Sequence, residues 1–490
     1  MSDSTSPAPR YVPIDRKQFR LEPLDVDALI DEGHPARKIW RVVEQLDLSR
    51  FETEVRAVEG VRGRPSHSPQ VLVAVWIYAF SKGLHSAREV ERQMRHEPGL
   101  RWLTGLNVIN HHSLSDFRVG YGEALRELFE QVLAMLTMKG LITLERVAVD
   151  GTKIRADAGK KSFGKRAKIE AHLAMASEHL DELERAERDE HTTQRQQAAR
   201  RRAAREREQR LEEALEEIER LRAAKKGDKK KEPQASSSDP SAAFMWMHEG
   251  GLAPAYNVQV TADAARGLIA DIEVVNDPQD GQQIAPAMDR LKDRNGSYPQ
   301  QALADGAYTN LASVLEMHER AVDYYSTWTG RNESGGRAQQ RHDDYLRECF
   351  EFDEKRNELT CPEGRRLPHR QTRRDTGKQT HVYQASAQDC QPCPARKKCC
   401  PKLSLSDYGR SVSFTIYDPE IEAFDEKMKQ PEALAIYKKR APLAEFPNAW
   451  IKTKLKLRRF ATRGLARVQC EAMWAALTFN LQRMFQLAPA

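Results

Sequence analysis

The sequence predicts an α+β/α/β protein: a mixed sheet with helices packed on it, preceded by an all-helical domain and interrupted by two insertions. Three observations carry this. First, Tyr256 to Ala262 and Leu268 to Val275 alternate apolar and polar residues around Gly267, as an antiparallel strand pair does. Helix and strand then take turns: a helix around Ile284 to Leu291, a strand from Gln301 to Asp305, a helix near Leu311 to Arg320 and a strand at Ala321 to Tyr325. Second, residues 1–140 carry helix punctuation almost throughout. Third, two Asp-Gly pairs at strand ends, Asp150-Gly151 and Asp305-Gly306, lie 305 − 150 = 155 residues apart. They meet in one site only if residues 160–238 and 331–420 are insertions into a core made of 141–159, 239–330 and 421–490.

Within the helical domain, Ser68 and Pro69 open an apolar helix from Val71 to Phe80 that stops at Gly83. Ser86-Ala87-Arg88-Glu89 has the spacing of a capping box and opens a second helix ending before Pro98. The short turn between them fits either a DNA-reading helix-turn-helix or an ordinary helical hairpin, and no residue-level fingerprint decides. Ser113-Leu114-Ser115-Asp116 then caps a third helix, with Phe117, Leu125, Leu128, Phe129, Val132 and Leu136 as its apolar stripe. Residues 1 to about 20 read as unstructured.

The chain has 490 residues, 40% hydrophobic and 31% charged, which suits a soluble globular protein of several packed units. The most apolar run, Val71 to Phe80, is too short to cross a bilayer, and the Ser/Pro-rich start lacks the apolar core of a signal peptide. Both point to a cytoplasmic protein. Lys and Arg exceed Asp and Glu by only 78 − 72 = 6. That excess sits at the end, where residues 445–490 hold eight basic and two acidic side chains, so a basic segment adjoins the candidate acids. A polyanion such as DNA is the substrate class this arrangement suits.

Val147-Ala148-Val149-Asp150-Gly151-Thr152 reads as a buried strand that delivers an acid to its mouth and turns into a second strand, although a plain hairpin turn fits the hexapeptide equally well. The second such element, ending at Asp305, favours one shared acidic site. Residues 160–232 carry Ile169, Leu173, Ala176, Leu180 and Leu183, then Leu211, Leu215 and Ile218, at alternating steps of four and three. That spacing predicts a projecting helical hairpin or coiled coil. Its Arg200, Arg201, Arg202 and Arg205 are balanced by Glu206, Glu208 and Glu212, and residues 225–238 read as a flexible linker. The seven cysteines are too few and too clustered for a disulfide framework. Cys361, Cys390, Cys393 and Cys399 leave two readings open, four thiolates on a structural zinc ion or free, partly buried thiols.

Tyr437-x2-Arg440-x4-Glu445-x6-Lys452, downstream of two strand-end aspartates, resembles the third-acid signature of DDE transposases of bacterial insertion sequences, in the branch with an InsH-like N-terminal domain. Gly63-Arg64-Pro65-Ser66, Gly83-Leu84-His85-Ser86-Ala87-Arg88, Asn110-His111-His112-Ser113, Tyr256-Asn257-Val258-Gln259, Arg458-Arg459-Phe460, Arg463-Gly464 and Asn480-Leu481 are similar to that branch as well. Asn448-Ala449 stands where such proteins usually have Phe-Gly, and Ala307 where the second motif often has Gly. The resemblance implies an RNase H-like core. It implies Asp150, Asp305 and Glu445 as catalytic ligands of two Mg²⁺ (or Mn²⁺) ions, and double-stranded transposon-end and target DNA as partners of a homodimer or higher assembly. It also implies phosphate contacts from Arg440 and Lys452, and a nucleotide positioned by Tyr437. Lys454, Arg458 and Arg459 extend that basic surface. The reaction implied is hydrolysis at the element's ends followed by attack of the freed 3′-hydroxyl on target DNA. An RNase H-like nuclease without strand transfer would carry the same acids, and a decayed DNA-binding protein the same basic tail.

Overall fold

The computed structural model describes residues 17, 23–53, 65–185, 193–224, 232–328, 342–401 and 408–487. The start, expected to be unstructured, lies outside the described residues apart from Lys17, and so does Gly63-Arg64. In chain order the first eight strands are β1 (Arg146–Arg155), β2 (Phe163–Gly164), β3 (Ala235–Ser236), β4 (Ala243–Trp246), β5 (Leu252–Asp263), β6 (Ile269–Val275), β7 (Gln301–Ala304) and β8 (Asp323–Tyr325). A curled mixed sheet runs β4-β5-β1-β7-β8, with β6 also paired to β5. β1 is antiparallel to β5 from Val147↔Asp263 to Arg155↔Ala255, and parallel to β7 from Arg146↔Gln301 to Val149↔Ala304.

β1 is central because both of its faces are apolar at its start. Val147 and Val149 pack with Ala302, Ala304 and the helices Ile284–Asn295 and Leu311–Glu319 on one side. Ala148 points to the other side, with Leu303, Tyr325 and Ala444. A strand buried on both faces shows a run of apolar residues rather than strict alternation, and this one does.

Asp150-Gly151 is not a turn. β1 continues through it as one ten-residue strand, paired with β5 along its length. Glycine is needed at 151 for space: a Cβ there would lie 2.6 Å from Asp280 Oδ1 and 2.7 Å from Gln259 Nε2. The expected turn rested on the usual meaning of Asp-Gly, whereas the cause is a polar cluster crossing the back of the strand.

The helix Pro69–Ser81 begins as expected, with Leu72 to Phe80 wholly buried against the final helix Leu465–Leu487 and its neighbours. Two details differ. Ser86 makes no side-chain capping bond, because Glu89 turns to Arg92 (2.6 Å) and Gln93 (2.8 Å). The third helix is two, His111–Gly120 and Gly122–Met138, broken at Tyr121. Its cap is Asn110, whose side chain accepts from the amides of His112 and Ser113 before Ser113 can serve.

The insertion hairpin is formed by helices Arg166–Arg185 and Gln194–Ala223, closed on Ile169, Ala176, Leu211, Ala214 and Ile218. Two of the four arginines at 200–205 find partners across the hairpin: Arg205 pairs with Glu184 at 2.6 Å and Arg201 donates to the Leu183 carbonyl. Of the expected linker, residues 225–231 lie outside the described residues, and the remainder is ordered. β3 pairs with β2, and the hydroxyls of Ser162 and Ser236 meet at 2.7 Å, which closes the base of the hairpin. The Cys-containing segment builds a second, antiparallel sheet in the order β13-β12-β11-β10-β9, from β9 (Glu351–Asp353), β10 (Glu358–Thr360), β11 (Arg366–Asp375), β12 (Lys378–Ser386) and β13 (Tyr408–Tyr417).

The outer edge of β6 would leave backbone groups bare, and the final helix covers them with two amides. Asn480 accepts from the Ile269 amide and donates to the Ile269 carbonyl, both at 2.8 Å. Gln469 accepts from the Val274 amide (2.7 Å) and donates to the Ile272 carbonyl (3.0 Å). All of these groups are buried, so losing one clamp strands a donor and an acceptor away from water. Asn480→Ala is expected to cost roughly 2–4 kcal/mol, two unsatisfied groups' worth. Thermal unfolding should read this as a lower midpoint with the secondary structure of the folded state unchanged; an unaltered midpoint would refute the clamp.

Candidate active site

β1 and β7 run parallel and in register at Val149↔Ala304, so the next residue on each, Asp150 and Asp305, are neighbours. Asp305 leaves its strand as the N-cap of a short 3₁₀ turn, Gly306–Tyr308, with its Oδ1 accepting from the Ala307 amide at 2.8 Å. Its carbonyl is fixed by the Ser326 hydroxyl at 2.9 Å. Gly306 is obligatory here too, because a Cβ would sit 2.9 Å from Thr327 Oγ1 and 3.1 Å from the Thr327 carbonyl. The strand-end reading of Asp305 holds, and that of Asp150 gives way to an acid in mid-strand.

Asp150 is largely buried, and that burial, reinforced by the neighbouring charge of Asp305, raises its carboxyl to about 6. Arg440 and a hydrogen bond from Asn448 pull the other way. Asn448 Nδ2 donates to Asp150 Oδ2 at 3.0 Å, while its Oδ1 is buried and finds no partner among the described residues. Asn448 lies on the helix Arg440–Thr453, which packs across β1 and β5. Sequence reasoning did not single it out as a site residue. The signal was present, since Asn448 follows Glu445 by three positions and replaces an expected aromatic residue.

Glu445 sits on this same helix, roughly 60° around the axis from Asn448 at 3.6 residues per turn. It is exposed and makes no ion pair among the described residues. The structure thus brings Asp150 and Asp305 together and leaves Glu445 one helical turn short of Asn448. Among the described residues no three His, Cys, Asp or Glu side chains are drawn together to hold a metal ion.

Behind Asp150, on the opposite face of β1, lies a polar shelf that sequence reasoning missed. Asp280 Oδ1 accepts from Asn257 (2.6 Å), Gln259 (2.8 Å) and Lys153 (3.2 Å). Gln259 in turn accepts from the Tyr308 hydroxyl at 2.5 Å. Because Tyr308 ends the turn that begins at Asp305, this chain ties the back of β1 to the second acid's own loop.

The basic residues border the acids on one side. The Tyr437 hydroxyl lies 3.4 Å from Thr327 Oγ1, beside the Asp305 loop, and the Arg440 guanidinium is 5.9 Å from the Tyr437 ring centre. Lys452 is half-buried, which lowers its ammonium pKa, although Glu249 and Asp150 oppose the shift. Beyond the helix, Leu455, Leu457 and Phe460 are buried, whereas Lys454, Lys456, Arg458 and Arg459 are exposed. The Arg155 amide donates to the Arg458 carbonyl (3.2 Å) and the Phe460 amide to the Arg155 carbonyl (2.9 Å). The end of β1, 155 − 150 = 5 residues along the strand from Asp150, thereby holds a row of exposed cations.

Two family profiles match the chain: one described as Transposase domain (DUF772) over residues 24–119, the other as Transposase DDE domain over residues 360–485. The second spans Glu445 and the Cys-containing sheet from the end of β10 onward, while Asp150 and Asp305 lie outside both matched segments. No curated protein matches. A piggyBac transposase, solved as a synaptic complex with hairpin DNA, superposes at 7% identity over 92% of this chain and 74% of that one. Its TM-score of 0.32 is too low for the likeness to bear on the fold. No described helix is long and apolar enough to cross a membrane. Transposase profiles thus match towards each end of the chain, and together they indicate a DDE transposase of the insertion-sequence type.

Proposed function

We propose that this transposase cuts DNA at the ends of its insertion sequence and joins the freed 3′-hydroxyl to target DNA, at a site built from Asp150, Asp305 and Glu445. The observation that carries the reading is the parallel register that makes Asp150 and Asp305 neighbours, beneath the helix that bears Glu445. The strand order β6-β5-β1-β7-β8, three antiparallel strands followed by two parallel ones, supports an RNase H-like core.

The residues fit a divalent cation such as Mg²⁺. Two adjacent carboxylates, one of them raised to about 6 by burial and by its neighbour, make a hard-oxygen site with uncompensated negative charge. Asp150, Asp305 and Glu445 would hold the ions, which supply charge relief at the phosphorus and a more acidic attacking hydroxyl. The chain's own residues do the rest. Asn448 orients the Asp150 carboxylate. Arg440, Lys452, Lys454, Arg458 and Arg459 bind backbone phosphates, and Tyr437 packs against a terminal nucleotide. Loading on transposon ends and target together suits a homodimer or higher assembly on DNA.

Asp150→Asn, Asp305→Asn and Glu445→Gln are each expected to abolish cleavage of labelled end DNA in Mg²⁺ while leaving gel-shift binding nearly intact. A target plasmid in the same reaction separates strand transfer, which yields joined products, from simple nucleolysis. Wild-type cleavage by any one variant would remove that residue from the site.

The raised Asp150 carboxyl has a consequence for stability. Its folded value of about 6 against an ordinary 3.8 means the folded protein holds this proton more tightly than the unfolded chain does. Stability therefore falls as pH rises from about 4 to about 6, by up to roughly 3 kcal/mol for a shift of about two units. In chelator, Asp150→Asn is expected to melt a few degrees above the wild type at pH 7.5, with the advantage gone at pH 4. Equal melting at both pH values would show that Asp150 is not under this strain.

A further inference from the structure

The Cys-containing sheet has little apolar interior. Its buried cluster holds Tyr345, Phe350, Leu359, Leu367, Tyr383 and Val412 and few other bulky side chains, and β11 is exposed along most of its length. A sheet so thin needs another source of cohesion. Five of the seven cysteines, Cys361, Cys390, Cys393, Cys399 and Cys400, line one cavity of about 30 Å³ between this sheet and the short helices beside it. Cys349 is exposed and Cys470 belongs to the final helix, so neither takes part.

Two of the five already accept backbone hydrogen bonds on sulfur. In the turn Cys361-Pro362-Glu363-Gly364, the Cys361 amide donates to the Arg365 carbonyl (2.9 Å) and the Gly364 amide to the Cys361 carbonyl (2.8 Å). The Arg365 amide then points back at Cys361 Sγ from 3.3 Å. Gly364 has φ +72°, the left-handed conformation that lets so tight a turn close without a Cβ penalty. On the opposite wall the Arg410 amide donates to Cys390 Sγ, also at 3.3 Å. Gly409 is pressed so close that a Cβ would fall 2.8 Å from that sulfur. An amide aimed at sulfur does little for a neutral thiol and much for a thiolate, which is the form that binds metal.

We infer that this cavity is a structural zinc site, in which Cys361, Cys390 and Cys393 supply three thiolates and the Cys399–Cys400 pair the fourth. The Cys390-x2-Cys393 spacing and the cavity size suit a single tetrahedral ion. A tetrahedral ion takes four ligands and three are already assigned, so one sulfur of the vicinal pair completes the set and the other stays a buried thiol. Among the described residues the thiols line the cavity without being gathered into a metal-holding group, so binding zinc would draw them closer together. Tying the Cys361 turn to the loops at the far end of β12 and the start of β13, the ion would serve this sheet as a core.

The test is independent of DNA cleavage. Full-length protein purified without chelator is expected to carry about one zinc per chain, released when a mercurial blocks the thiols and detected with a chromogenic chelator. Reconstitution with Co²⁺ should give the strong visible absorption and sulfur-to-metal charge transfer of a tetrahedral thiolate site. Cys361→Ser, Cys390→Ser and Cys393→Ser should each lose the metal, whereas Cys349→Ser and Cys470→Ser should keep it. Of Cys399→Ser and Cys400→Ser, one should lose it and the other keep it. Should the ligand variants fail to fold, alkylation of the wild type still decides, because four cysteines should be shielded until the metal is stripped. Metal-free folded protein with all exposed thiols reactive, disulfides found by mass, or iron with acid-labile sulfide in place of zinc would each overturn the assignment.

Discussion

The rest of the structure depends on one unfavourable contact: two carboxylates held side by side at the edge of a sheet, one of them mostly out of water. Burial raises the energy of a carboxylate and a neighbouring like charge adds to it, and the carboxyl of Asp150 at about 6 is the sign of both. Such an arrangement persists only where its surroundings over-determine it. The parallel ladder fixes the backbone of both acids, Asn448 and Arg440 relieve part of the charge, and the Asp280–Gln259–Tyr308 shelf locks the strand from behind. A residue larger than glycine at 151 would break into that shelf, and one at 306 would push the Asp305 loop off Thr327.

Legibility in the sequence followed from how local each cause was. The antiparallel pair β5–β6, the helices after it and the hairpin insertion each write their period into adjacent residues, so alternation and heptad-like spacing found them. The separation of the two aspartates was equally informative, because a gap of 155 residues demands a sheet that skips insertions. The errors have non-local causes. Asp150-Gly151 looks like a turn until Asp280, 129 residues further on from Gly151, is seen to fill the space a side chain would need. The break at Tyr121 and the unused cap at Ser86 turn on which of several neighbouring side chains reaches a given amide first. Asn448 carried a signal, in replacing an expected aromatic residue three positions after Glu445, but not its role, because its partner lies 298 positions away.

The helical domain and the sheet are not independent bodies. Leu465–Leu487 packs against the helices Pro69–Ser81 and Gly122–Met138 on one flank and against β6 on the other. Its Glu471 lies 3.5 Å from Arg118, both charges buried. Removing either partner would leave the other charge alone in an apolar setting, a far larger loss than the pair itself contributes. The last helix of the chain therefore fixes the first helices relative to the acids, a coupling that neither half of the sequence announces.

This coupling bears on why the third acid stands apart from the other two. Asp150 and Asp305 are positioned by a sheet and cannot move without breaking ladder bonds, whereas Glu445 rides on a helix that contains Pro447 and touches β1 through Ala444 and Asn448. A third carboxylate forced into the same pocket without cations would add a second like-charge repulsion to a site where burial and the charge of Asp305 already raise the Asp150 carboxyl to about 6. Leaving Glu445 in water avoids that cost. On the reading proposed above, Glu445 would join the two aspartates only where bound cations offset their charge, and the exposed Lys454, Lys456, Arg458 and Arg459 follow it on the same stretch of chain, where a polyanion would meet them.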